Sequence, residues 1–137
     1  MKLIYCLKRL PTLTPEEFGR YWLDVHGPLV RAHQDALRIV RYVQTHTTTG
    51  PLLDKLRAFR GSADPYDGVA EIWYASAEAL ATLGREPEAR AASRRLLEDE
   101  RRFVDLARSP IWIGEEHLII GAGSPDRSAC SPTRMET

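Results

Sequence analysis

The chain has 137 residues, of which 43% are hydrophobic and 28% are charged, proportions typical of one globular domain. Lysine and arginine together number 19, as do aspartate and glutamate, and a net charge near zero argues against a binder of nucleic acid or anionic membranes. No apolar run approaches the roughly 18–20 residues of a membrane span, and the N-terminal apolar stretch is too short for a signal peptide. We therefore expect a cytoplasmic protein.

Motifs for metals and common cofactors are absent from the sequence. No CxxC, HExxH or His-x-His pattern indicates a metal site, and no glycine-rich loop follows a predicted strand to cradle a nucleotide. The two cysteines, Cys6 and Cys130, fall in a predicted strand and a predicted tail, so we expect no disulfide between them. We predict a protein with no metal and no cofactor.

The chain opens with a strand and a clear helix start. Residues 2–8 are apolar and are soon followed by a proline, which predicts a short strand. Thr14 can cap a helix, Pro15 suits its first position, and Glu17 completes a capping box. A helix is therefore predicted to begin at residue 15.

This first helix delivers a histidine to a break in the chain. We predict that it ends at about residues 24–27, because Pro28 lacks an N–H group and its ring would crowd the preceding turn. His26 then lies at the helix end, a well-defined position for a titratable group, although a cation there also suits the helix dipole. The apolar stripe of the helix consists of Phe18, Trp22, Val25 and Leu29.

The second predicted strand, residues 37–48, has one unusual face. Alternation places Tyr42, Gln44 and His46 together, a semi-polar set that suggests a cavity wall, although an ordinary exposed sheet face fits the same alternation. His46 lies about 13 Å along the strand from Tyr42. We therefore expect it to bind the far end of an extended substrate.

The remaining residues predict one more strand–helix–strand unit with extra helical pieces. Residues 50–60 form a short helix or ordered excursion and 61–67 a loop, and residues 68–74 form a third strand with Glu71 and Trp73 on one face. Ser76 caps a short helix, 77–83, and a longer helix, 86–107, carries opposite charges four residues apart that we interpret as a solvated face. Residues 111–120 form a fourth strand, and 121–137 a disordered tail.

The resulting β-α-β-β-α-β order predicts an α+β, ferredoxin-like sandwich over residues 1–120, in which helices cover one face of a four-stranded antiparallel sheet. The other face of the sheet then needs cover. A second copy of the chain is the simplest cover, which would give a homodimer with a dimeric α+β barrel.

Four segments carry a resemblance to a known family. YCLKRLPTLTPEEFGRYWLDVHGPLV, RYVQTH, DGVAEIWY and SPIWIGEEHLII resemble the EthD family of small dimeric α+β barrel proteins, over about residues 2–120. Its fold relatives include cofactor-free monooxygenases, muconolactone-type isomerases, and cyclases, dehydratases and decarboxylases of polyketide pathways. The insert at residues 50–67 departs from the smallest members, and we expect it to shape one wall of the cavity. By the resemblance, the functional positions correspond to His26, Tyr42, Gln44, His46, Glu71, Trp73, and Glu115 or Glu116.

These side chains suit proton transfer on an activated carbonyl compound through enolate-like intermediates. We predict a cofactor-independent lyase or isomerase that performs cyclisation, dehydration or decarboxylation on a phenolic, polyketide-like or lactone substrate. His26 is the predicted acid–base group, Tyr42 stabilises oxyanion charge, and Glu71 orients the imidazole or acts as a base. The predicted substrate-binding residues are Gln44, His46, Trp73 and Glu116.

Three alternatives fit the same residues. The first is a cofactor-free monooxygenase, in which the carbanion of an electron-rich phenol meets oxygen in a tryptophan-lined pocket. The second is a non-catalytic accessory protein of a degradative or biosynthetic pathway, in which Tyr42, His46 and Trp73 only hold a ligand. The third is a structural role, in which His26 caps its helix and no cavity exists.

Overall fold

The computed structural model describes residues 1–122, so residues 123–137 of the predicted disordered tail lie outside the described part of the chain. None of the helices in residues 1–122 is long and apolar enough to cross a membrane. The elements in chain order are β1 (Lys2–Leu7), α1 (Pro15–Tyr21), a π-helical turn (Trp22–His26), α2 (Gly27–Ala32), β2 (Arg41–His46), α3 (Pro51–Arg60), β3 (Gly68–Trp73), α4 (Ala77–Leu83), α5 (Pro87–Glu100), a 3-10 turn (Leu106–Arg108) and β4 (Ile111–Gly114).

The four strands form one antiparallel sheet in the order β2-β3-β1-β4, which confirms the predicted α+β, ferredoxin-like architecture. β4 ends at Gly114, well before the predicted residue 120. The reason lies in its partner: Gly114 pairs with Lys2, where β1 begins, so no strand residue remains for the rest of β4 to pair with.

The first helix begins as predicted but does not end at His26. Thr14 accepts a hydrogen bond from the Glu17 N–H, and the Glu17 side chain accepts one from the Thr14 N–H. After Tyr21 the helix widens into the π-helical turn, in which the Gly27 N–H donates to the Trp22 carbonyl five residues back. Pro28 then falls in the first turn of α2, where a proline needs no N–H partner, so helical backbone continues to Ala32.

The helix α5 is shorter than the predicted helix 86–107. Beyond Glu100 the backbone leaves the helix and pairs with the segment after β1: the Leu10 N–H donates to Phe103 and the Asp105 N–H to Lys8. None of the predicted ion pairs four residues apart forms within residues 86–107, and Glu86 instead forms an ion pair with Arg38.

Within residues 1–122, the helices that contribute to the buried core pack on one face of the sheet, here called the inner face. One buried cluster lies near the π-helical turn and a second near α2, α4 and α5, and the space between them is the cavity described below. On the opposite, outer face, Ile4, Val43 and Val69 remain partly exposed. The first cluster contains Tyr5, Leu7, Phe18, Trp22, Ala70, Phe103 and Val104, and the second Val30, Leu37, Ile39, Tyr74, Leu83, Ala89 and Ala92.

Candidate active site

A cavity of about 550 Å³ lies between the inner face of the sheet and the helices, within the range of about 300–1,000 Å³ typical of small-molecule sites. It reaches the surface beside α4 and α5, where Gly84, Arg90 and Arg94 are exposed. A more open depression of about 710 Å³ runs along β2, but neither His26 nor Glu100 lines it. The buried titratable groups single out the first cavity as the candidate site.

His26 lies in the wall of this cavity with its ring orientation fixed by a buried carboxylate. His26 is 6% exposed, and its Nδ1 lies 2.9 Å from Oδ2 of Asp99, which is 2% exposed. The other carboxylate oxygen of Asp99 accepts a hydrogen bond of 2.6 Å from the Tyr21 hydroxyl. Because Asp99 accepts from Nδ1–H, Nε2 is the nitrogen of His26 left for a ligand.

The pair is electrostatically set as a neutral base beside an ionised carboxylate. Burial lowers the pKa of His26 below its ordinary value, and this effect outweighs the opposing attraction of Asp99. Burial opposes the charge on Asp99, but hydrogen bonds from Tyr21 and His26 outweigh it and hold the pKa of this carboxyl below its usual value. At neutral pH, Nε2 is therefore an unprotonated base.

The Tyr42 hydroxyl is held as a hydrogen-bond donor at the same cavity. Its oxygen accepts from Trp22 Nε1 at 3.2 Å and from Gln44 Nε2 at 3.0 Å, so its own proton is left to donate. Burial raises the pKa of Tyr42, which keeps this proton in place at neutral pH. A phenol arranged in this way can stabilise negative charge on a substrate oxygen.

Gln44 and His46 share the inner face with Tyr42 and support it from behind. Gln44 also donates to the Trp22 carbonyl at 2.9 Å, and its Oε1 lies 2.8 Å from Nε2 of His46. The His46 ring stacks on Trp22, with centroids 4.3 Å apart, and does not itself line the cavity. The geometry therefore gives His46 a supporting place, without the direct substrate contact that we expected.

Glu71, Trp73 and Glu116 are not brought to this cavity. The register of the sheet pairs Glu71 with Val43, so Glu71 shares the outer face, and Trp73 follows two residues later on that face. Lys2 Nζ lies 2.6 Å from Glu71 and 2.8 Å from Glu116, and Trp73 donates to Glu116. The sheet separates these residues from His26, so they cannot touch a substrate that His26 touches.

The insert also falls outside the cavity wall. None of residues 50–67, all of them described, lines the cavity, so the expectation that this insert shapes one wall is wrong. The helix α3 instead leaves Leu52, Leu56 and Phe59 exposed. The walls come from the sheet, the π-helical turn, α4 and α5.

Two carboxyl groups of the site, Asp99 and Glu100, were missed because we interpreted the charges of α5 as a solvated face. A signal was present: Ala89, Ala92 and Phe103 recur at helical spacing, and positions 99 and 100 lie on the same apolar stripe. Burial, and to a lesser degree the neighbouring Asp99, raises the pKa of Glu100 to about 7.

Within residues 1–122, no group of three His, Cys, Asp or Glu side chains is arranged to hold a metal ion.

The sequence is similar to a known protein family and to a named protein. The family model of the EthD domain matches residues 10–107. The chain is 26% identical over 110 residues to the dehydratase ustZ of Ustilaginoidea virens, covering 77% of this chain and 76% of that protein.

Two solved structures have a similar fold. An EthD (ethyl tert-butyl ether D) family protein of Bacillus halodurans is 22% identical with a TM-score of 0.56, over 85% of this chain and 97% of that one. HapK of Hahella chejuensis is 13% identical with a TM-score of 0.52, over 90% and 99%. Both likenesses support the α+β architecture described above.

Proposed function

Since this chain belongs to the EthD family, we propose that it is an acid–base enzyme of the lyase or isomerase class. Its proposed substrate is a phenolic, polyketide-like or lactone compound, and its proposed reaction is a dehydration. The observation that carries the proposal is the buried His26–Asp99 pair, because His26 lines the same cavity as Tyr42 and Asp99 leaves its Nε2 without a protein partner within residues 1–122. The similarity to a protein named as a dehydratase supports the choice of reaction within this class.

The residues divide the chemistry between a base and an oxyanion donor. Nε2 of His26 removes a proton from the carbon next to a substrate carbonyl, and Asp99 holds the ring and stabilises the imidazolium that forms. The Tyr42 O–H donates to the carbonyl oxygen as negative charge develops there. Leu3, Leu37 and Ile72 supply apolar walls for the carbon skeleton. Proton transfer of this kind needs no cofactor, so we propose that the enzyme uses none.

Proton exchange next to a carbonyl tests the base without knowledge of the natural substrate. The wild-type protein is incubated in deuterium oxide with a simple aryl alkyl ketone, and loss of the α-proton signal is followed by NMR. We expect catalysed exchange, and a fall of about 10²-fold or more in His26→Ala, because general-base catalysis contributes on that scale.

The matched control is His117→Ala, since the His117 side chain is 75% exposed and lies outside the cavity. Exchange should be unchanged in this variant. Binding of the ketone with no exchange by the wild-type protein would contradict the enzyme proposal and favour a ligand-binding accessory protein. Equal exchange by wild type and His26→Ala would remove His26 from the chemistry.

A further inference from the structure

We propose that Glu100 is a second catalytic residue of this cavity, the acid that protonates the departing hydroxyl group, and that the substrate is therefore a β-hydroxy ketone. This inference rests on the proposed function, because it assigns the second half of the same dehydration. Glu100 takes no part in proton removal by His26 or in stabilisation of the oxyanion by Tyr42.

The placement of Glu100 is the first observation. It is the last residue of α5, it lines the cavity together with His26 and Tyr42, and its side chain is partly buried. Within residues 1–122 its carboxyl group makes no hydrogen bond and no ion pair, whereas the adjacent Asp99 has two hydrogen-bond partners. A partly buried carboxyl group that lines a cavity and has no protein partner is free to exchange a proton with a ligand, which makes Glu100 a candidate functional residue.

The surroundings of Glu100 favour its protonated form. Burial is the main cause that raises the pKa values of Tyr5 on β1 and Tyr42 on β2, and the charge of Glu100 also raises both. For Tyr42 the effect of Glu100 is smaller than the opposing effects of the hydrogen bonds from Gln44 and Trp22. The cations of the cavity stand at its exposed rim on α5, and neither forms an ion pair with Glu100. The titratable and charged side chains that line the cavity with Glu100 are Tyr5, His26, Tyr42, Tyr74, Arg90 and Arg94.

The pKa shifts of His26 and Glu100 also suit their two roles at one pH. Burial lowers the pKa of His26 below its usual 6.5, while burial and Asp99 raise the pKa of Glu100 to about 7. At a pH just below 7, His26 is therefore mainly a free base and Glu100 mainly protonated. A pair of titratable groups shifted in opposite directions in one cavity is the arrangement that an acid–base elimination needs.

The elimination balances with these groups alone. Nε2 of His26 takes the α-proton, the electrons of that C–H bond form the new C=C bond, and the bond from the β-carbon to the hydroxyl oxygen breaks. The Glu100 carboxyl gives its proton to that oxygen, and water leaves. Glu100 is then a carboxylate and His26 an imidazolium, and transfer of one proton through solvent restores both.

Two ketones that differ in their leaving group test the assignment. A β-hydroxy-β-phenyl ketone loses water, which requires a proton, and a β-(para-nitrophenoxy) ketone loses nitrophenolate, which requires none. Wild type, Glu100→Gln, Glu100→Asp and the control Glu98→Gln, which alters an exposed residue of the same helix, are compared with both ketones across pH. The formation of enone and the release of nitrophenolate are followed by absorbance.

We expect Glu100→Gln to slow the loss of water by about 10²-fold and to leave α-proton exchange and the loss of nitrophenolate unchanged. The wild-type rate of water loss should fall as pH rises through about 7, the pKa of Glu100, and this alkaline limb should be absent in Glu100→Gln. Glu100→Asp, which keeps the carboxyl group, should recover part of the rate, and Glu98→Gln should match wild type.

Other outcomes overturn the inference in distinguishable ways. An unchanged loss of water in Glu100→Gln removes Glu100 from the reaction, and an equal fall with both leaving groups and in exchange assigns it a structural role. If the wild-type protein exchanges the α-proton but eliminates neither group, the proposed function of His26 survives and the role of Glu100 does not. If the wild-type protein does not exchange the α-proton, both proposals fail together.

Discussion

Two adjacent carboxyl groups at the end of α5 meet opposite electrostatic conditions. Asp99 accepts hydrogen bonds from Tyr21 and His26, which stabilise its charge inside the protein. Glu100 has no such donor within residues 1–122, so burial favours its neutral form. One backbone position along the helix therefore separates a carboxylate that orients a base from a carboxyl group that holds a proton near neutral pH.

The same imbalance predicts a pH-dependent gain in stability for Glu100→Gln. The pKa of Glu100 is about 7 in the folded chain, against 4.5 as its ordinary value, so the folded state retains a proton that the unfolded state releases between these pH values. Stability therefore falls as pH rises from 4.5 to about 7 and stays reduced above it. We expect Glu100→Gln to be more stable than wild type by about 1–3 kcal/mol at about pH 8 and to differ little at about pH 4.

Urea unfolding at the two pH values measures this difference directly, because each protein serves as its own reference. Glu98→Gln is again the control and should show no pH-dependent gain, since Glu98 is exposed. If the difference in unfolding free energy between Glu100→Gln and wild type is the same at both pH values, Glu100 is not buried as a neutral acid.

At the scale of elements, the π-helical turn organises the site. It places Trp22 at one end and His26 at the other, both in the cavity wall. The Trp22 carbonyl accepts from the Gly27 N–H and from Gln44, and the Trp22 indole donates to Tyr42, so the turn and β2 are joined at this residue. The π-helical turn thus fixes the position of the helices relative to the sheet. Such turns are often found at functional sites.

Gly68 at the start of β3 is required for this contact, which predicts a costly Gly68→Ala. A Cβ atom at this position would lie 2.3 Å from Cζ3 of the Trp22 ring and 2.8 Å from the Thr45 carbonyl oxygen. Neither group can move freely, because Trp22 is buried and Thr45 belongs to β2. We expect Gly68→Ala to lower the free energy of unfolding by about 1–3 kcal/mol and to displace Trp22 from Tyr42.

Chemical denaturation and tryptophan fluorescence measure the two effects. Gly84→Ala is the matched control, since its Cβ would lie 3.5 Å from the nearest atom, an ordinary contact, and should cost little. Equal stability of Gly68→Ala and Gly84→Ala would contradict the close contact between β3 and the π-helical turn.

At the scale of the whole molecule, the outer face of the sheet predicts a dimer. Ile4, Val43 and Val69 are partly exposed there and Trp112 is 47% exposed, whereas Tyr5 and Ala70 of the inner face are buried. Apolar side chains exposed on a sheet face in this way are stable in water when a second copy of the chain covers them. We expect the wild-type protein to sediment as a dimer and Ile4→Lys, in the central strand β1, to sediment as a monomer.

The control for this prediction is Leu97→Lys, which places the same charge at an exposed position of α5 and should leave the dimer intact. Secondary structure measured by circular dichroism should be native in both variants, because Ile4 lies opposite Glu71, which can accept the new charge. A monomeric wild-type protein, or a dimeric Ile4→Lys, would argue against association through the sheet.

The sequence by itself determined what depends on neighbours along the chain. The cap at Thr14, the order of the strands and helices, and the placing of Tyr42, Gln44 and His46 on one face follow from local hydrogen bonding and from the two-residue period of a strand. These features, with the family resemblance, sufficed for the fold and for two of the groups in the cavity, His26 and Tyr42.

Only the tertiary structure decided which of these groups meet. The register between β2 and β3 sent Glu71 and Trp73 to the outer face, and the length of β1 fixed the end of β4. The partner of His26 is Asp99, 73 residues further along the chain, and their contact depends on how α5 packs against the π-helical turn. Periodicity gives the face of each element separately, but a site forms where faces of different elements are brought together, and packing between elements determines that meeting.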